Sequence, residues 1–136
     1  MNELTYDERI AVMRILFDII LADKKIDPRE ELLFGQIAEN LQLGDSVRTE
    51  IEQLNSLLAL SMIRNFTRDQ KVELAQMMGK MIVVDNDINY NEVRIYDVVN
   101  DYCNINVDFF HSDDLEYTFS WMIVCDFFYY FYITNL

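Results

Sequence analysis

An all-α fold, a single-domain helical bundle, is predicted for this 136-residue chain by three observations. Three Gly and one Pro are very few, so helix breakers are scarce. Apolar residues recur at helical spacing behind side chains suited to capping helix N-termini. One helix–loop–helix pattern occurs twice, from Leu21 to Leu43 and again from Val83 to Ile105. At one constant offset Asp23 aligns with Asp85, Ile26 with Ile88, Asp27 with Asn89, Glu30 with Glu92, Ile37 with Val99 and Leu43 with Ile105. The pattern reads as two copies of one supersecondary unit, each presenting an acidic loop at the same end.

The elements follow in order. Thr5-Tyr6-Asp7-Glu8 is a capping box, and Tyr6, Ile10, Met13, Phe17, Ile20 and Leu21 continue as a helical stripe until Asp23. A second helix starts at Pro28, with Asp27 as N-cap and Glu30 at the capping-box position, and runs to about Leu41, ahead of Gly44. A short helix near Ser46 buries Val47, Ile51 and Leu54; another after Asn55 carries Leu57, Leu58, Leu60 and Met62. Thr67-Arg68-Asp69-Gln70 opens a long helix through Val72, Leu74, Ala75, Met78, Met81 and Ile82 to Asp85, its methionines serving as core filler. Asn89 caps the next helix, with Glu92 at the reciprocal position and Val93, Tyr96, Val99 and Tyr102 along it.

Residues 1–110 form the helical domain, and 111–136 an aromatic-rich tail or closing helix. Asp113 and Glu116 suit a capping box there. The stretch 117–133 is short of the ~20 apolar residues a span needs and is interrupted by Asp126. No Lys or Arg follows Arg94 to anchor it. A buried closing element, helix or strand, or a surface covered by a partner is expected instead of a membrane span.

A net charge of −13 repels nucleic-acid phosphate and anionic lipid, and suits cations or a basic partner. The polar, acidic opening MNELTYDERI predicts no secretory signal peptide. Cys103 and Cys125 lack metal or redox spacing and read as free thiols in a reducing cytoplasm. His111 is the only histidine, which excludes His-rich zinc sites and leaves little for acid–base or nucleophilic catalysis. With no glycine-rich phosphate loop either, no enzyme is expected.

Caps alone explain Asp27, Glu30, Asn89 and Glu92 as residue types. Asp23 and Asp85 are harder to place, because a carboxylate just past a helix C-terminus meets the negative end of the helix dipole. Either an Asx-turn or a bound cation offsets that cost. The loop from Asp85 to Glu92 is rich in oxygen ligands, which suit Ca²⁺ or Mg²⁺ better than Zn²⁺. It begins like an EF-hand, with Asp85, Asp87 and Asn89 at alternate positions. Tyr90 then stands where that loop needs Gly, and Tyr96 where it needs a bidentate Glu, so it is not an EF-hand.

The repeated motif resembles the TerB-like family, helical domains named for the tellurite-resistance protein TerB. Ala22-Asp23 through Ile26-Asp27, Glu30, Ile37-Ala38 and Leu41 carry the resemblance in the first copy; Val84-Asp85, Ile88-Asn89, Glu92 and Val98-Val99 carry it in the second. It spans roughly residues 4–110. The family's Gly after the loop Asp is replaced by Lys24 and Asn86; Asn tolerates a left-handed backbone there and Lys less so. The resemblance implies a cytoplasmic, all-helical, stress-related domain that binds a cation through its loops, with members linked to tellurite resistance and found near membrane-associated complexes. By position, the ligands it implies are Asp23, Asp27 and Glu30 with Asp85, Asn89 and Glu92; local chemistry adds Asp87. The expected function is therefore non-enzymatic binding of a divalent cation or a protein partner through paired acidic loops. The alternative is a metal-free interaction scaffold that docks through the aromatic C-terminal segment.

Overall fold

The computed structural model describes residues 3–23 and 25–109. Within them the fold is all-α: α1 (Tyr6–Ala22), α2 (Pro28–Asn40), α3 (Arg48–Gln53, entered through a 3-10 turn at Asp45–Val47), α4 (Ser56–Ile63), α5 (Arg68–Val83) and α6 (Tyr90–Tyr102). The expected features at Lys24 and His111, the second cysteine and the whole aromatic tail lie outside the described residues.

The central element is α1, which packs on each of the other five helices. Five of its residues, Ile10, Val12, Ile15, Ile19 and Ile20, are β-branched and only moderate helix formers. Two effects outweigh that. The expected capping box forms, with Glu8 N–H donating to Thr5 Oγ1 and Thr5 N–H to Glu8 Oε1. Burial contributes more: nine α1 side chains are buried, and each large aliphatic one is worth ~1.5–3 kcal/mol. The exception on this helix is the pair Arg14 and Asp18, one turn apart and 2.8 Å from each other. Arg14 donates to the carbonyls of Ile51 and Glu52 at the end of α3, while Ser56 donates to Asp18. This polar seam therefore satisfies the C-terminus of α3 and fixes α4 against α1.

The second expected capping box also forms, with Thr67 and Gln70 exchanging hydrogen bonds at the start of α5. Met77, Met78 and Met81 are buried in the core as expected. Not every apolar residue along these helices is buried. Leu57 is 69% and Leu58 54% exposed, while Ala59, Leu60 and Ile63 face inward instead. Eight residues of almost unbroken apolar sequence carry too little contrast to orient a helix. Tyr6 and Tyr102 are likewise exposed: Tyr6 donates to Glu50 at 2.6 Å, and Arg64 stacks over the Tyr102 ring. The chain beyond α6 folds back on it. Asn100 bonds the Val107 N–H, Tyr96 donates to the Val107 carbonyl, and the Phe109 ring meets Tyr96 at 5.5 Å.

Candidate functional site: an acidic junction of two loops

The α1–α2 and α5–α6 loops lie side by side. Their carboxylates act on one another across the junction: Glu30 feels Asp85, Asp27 and Asp23, and Glu92 feels Glu30, Asp85, Asp23 and Asp87. Residues as far as 69 positions apart in sequence are thus brought into one acidic cluster, with Glu30 and Glu92 at its buried end and the loop residues at its rim.

The caps form with one correction. Asp27 and Asn89 are the N-caps of α2 and α6 as expected, but each accepts from the second helical N–H, that of Arg29 at 2.7 Å and Asn91 at 2.8 Å. Glu30 and Glu92 do not complete capping boxes. Both are 0% exposed, and none of their four carboxylate oxygens meets an N–H or hydroxyl donor; Glu30 interacts instead with the Asp85 carboxylate, which requires a proton between them. The Arg29 side chain also occupies Asp27, with contacts of 3.2 Å to each carboxylate oxygen, which holds Asp27 below the usual carboxylate range. Asp27 and Asn89 are therefore engaged in local structure.

The cost at the helix C-terminus is met differently in the two loops. Asp85 accepts from the Asp87 N–H at 3.0 Å, an Asx-turn, and Asn86 adopts φ 61°, the left-handed conformation that Asn tolerates. Asp23 has extended backbone (φ −96°, ψ 109°) and no side-chain partner among the described residues.

An unpaired buried carboxylate responds by staying protonated. Burial, followed by a hydrogen bond to the Asp85 carboxylate and then by that carboxylate's charge, pushes Glu30 up to about 8. Burial, followed by Glu30 and then Asp85, pushes Glu92 up to about 9. The donor set is oxygen throughout, which fits a hard cation, and the orphaned pair supplies carboxylates that gain from neutralisation. Among the described residues, however, no group of three His, Cys, Asp or Glu side chains is already arranged to hold a metal ion. Coordination therefore requires the rim side chains to turn toward Glu30 and Glu92.

The remaining thiol within the described residues is not a reactive site. Cys103 is fully buried beside the Leu60 carbonyl, and burial raises its pKa to about 11. No described helix is long and apolar enough to cross a membrane.

Sequence comparison agrees with the helical reading. Residues 1–53 match the family model described as tellurite resistance protein TerB. The crystal structure of a protein of unknown function, PG1108 from Porphyromonas gingivalis, has a similar fold, with TM-score 0.62 at 17% identity over 76% of this chain and 88% of that one. None of the curated proteins gives a match. The stretch that holds α1, α2 and α3 is thus similar to TerB, and the described residues as a whole are all-helical.

Proposed function

We propose that this protein is a non-enzymatic, stress-related cytoplasmic domain whose two acidic loops, copies of one helix–loop–helix unit, together bind a divalent cation. The observation that carries the reading is the pair Glu30 and Glu92, both fully buried and neither met by an N–H or hydroxyl donor, with only the Asp85 carboxylate interacting with Glu30 through a shared proton. Each unmet buried carboxylate costs stability, and a cation is the ligand that satisfies two at once. Glu30 and Glu92 supply the inner ligands, with Asp23, Asp85 and Asp87 turning in from the rim. Asp27 and Asn89, held in their caps, position the two helices. Oxygen ligands alone favour Ca²⁺ or Mg²⁺ over Zn²⁺.

The mechanism is loop ordering. Drawing the rim carboxylates inward ties the start of α2 to the start of α6, and the changed helix pairing alters the surface that a protein partner meets. Tellurite enters only through the family's name.

Metal-stripped protein is heated with and without Ca²⁺, Mg²⁺, Mn²⁺ or Zn²⁺. Cation at about 100 times its Kd adds roughly 2.7 kcal/mol, a visible rise in Tm. The rise is expected to vanish in Asp23→Asn, Asp85→Asn protein and in Glu30→Gln, Glu92→Gln protein. No rise with any cation would sink the assignment and return attention to a metal-free scaffold.

A further inference from the structure

A second feature, away from the acidic junction, has the form of a docking groove. It runs along α2 opposite the 3-10 turn and α3 and encloses about 520 Å³. Its floor is apolar, formed by the buried side chains of Phe34, Leu43, Val47 and Ile51. Leu32, 56% exposed, stands on the wall.

Gly35 is the informative residue. It lies inside α2, where glycine costs ~0.5–1 kcal/mol relative to alanine. Nothing local requires it: its φ is not positive, and a Cβ built there meets no atom within 4 Å. What the missing side chain leaves is open space in this groove. The charge around the groove is one-sided, with Glu31, Glu39 and Asp45 against Arg48. Arg48 is already consumed, bonded to Glu31 at 3.1 Å and Glu52 at 3.3 Å and stacked over the Phe17 and Phe34 rings. Glu39 and Asp45 are exposed, with no side-chain partner among the described residues.

From the apolar floor, the unexplained glycine and the free acidic rim, we infer that this groove receives a basic amphipathic peptide segment of a protein partner. Its apolar side chains would fill the space over Gly35, and its lysines or arginines would meet Glu39 and Asp45. This inference stands independently of cation binding.

The probe is a fluorescein-labelled peptide of leucine and lysine with leucines at helical spacing, titrated in fluorescence anisotropy. A strongly acidic protein attracts any cationic peptide, so the decisive variants leave charge unchanged. Gly35→Leu fills the groove and Leu32→Gln removes its apolar wall; each is expected to weaken binding at least fivefold. Leu57→Gln, on an exposed leucine of α4, is expected to leave it unchanged. Thermal unfolding confirms that each variant is folded, and Leu32→Gln alone decides the matter if Gly35→Leu is not. No binding by the wild-type protein, or equal binding by the groove variants and wild type, would overturn the inference.

Discussion

Replacing Glu92 by Gln should make the cation-free protein less sensitive to alkaline pH, although it alters a fully buried side chain. In the folded state burial, reinforced by Glu30, Asp85, Asp23 and Asp87, holds the Glu92 carboxyl up to about 9, against an ordinary value of 4.5. Between these values the unfolded chain has released its proton and the folded chain retains it. Stability from this group is therefore fully present below about pH 4.5 and is lost as pH rises toward 9. The slope for one group is ~1.4 kcal/mol per pH unit, which accumulates to about 3 kcal/mol by neutral pH. Glu30, raised to about 8, declines over much of the same window. Glutamine keeps the volume and removes the titration, while its unpaired amide adds a cost of ~1–3 kcal/mol at every pH. The signal is thus a change in the difference between the two proteins. Wild type should be the equal or better of the pair near pH 5 and the less stable near pH 8, with a swing in Tm of about 10 °C. Thermal unfolding followed by circular dichroism in chelator, from pH 5 to pH 9, measures it. A difference that stays constant across that range would refute the account of Glu92 as a buried neutral acid. Saturating cation should reverse the ordering at pH 8, because only the wild-type protein retains both inner carboxylates.

Two further outcomes follow from local geometry. Asn86 sits at φ 61°, so Asn86→Gly should be tolerated, whereas Asn86→Val should cost ~1–2 kcal/mol in denaturant unfolding; equal stability of the two variants would contradict the left-handed assignment. Cys103 is buried with its thiol raised to about 11, so in a Cys125→Ser background it should react with a thiol reagent only as fast as the protein unfolds. Prompt labelling of native protein would show that α6 opens locally.

Much of the fold is legible in the sequence because helix starts are local chemistry. Thr5 with Glu8 and Thr67 with Gln70 mark their own caps within four residues, and Pro28 and Asn89 mark theirs. The acidic loops are legible too, as residue types at a repeated spacing. The direction in which each side chain points is not local. Glu30 and Glu92 have the spacing of capping-box residues, yet their carboxylates are buried and meet no backbone N–H. Leu57 and Leu58 look like core and are exposed, because the choice between them and Ala59, Leu60 and Ile63 depends on how α4 meets α1.

The sequence by itself therefore determined the helices, their caps, the excess of negative charge and the oxygen-rich character of both loops, since each depends on neighbours a few residues apart. Only the tertiary structure decided that the two loops adjoin and that Glu30 and Glu92 lose their water. It also decided that Gly35, inside α2, faces open space. Desolvation and juxtaposition are properties of packing between distant segments, and no local pattern encodes them.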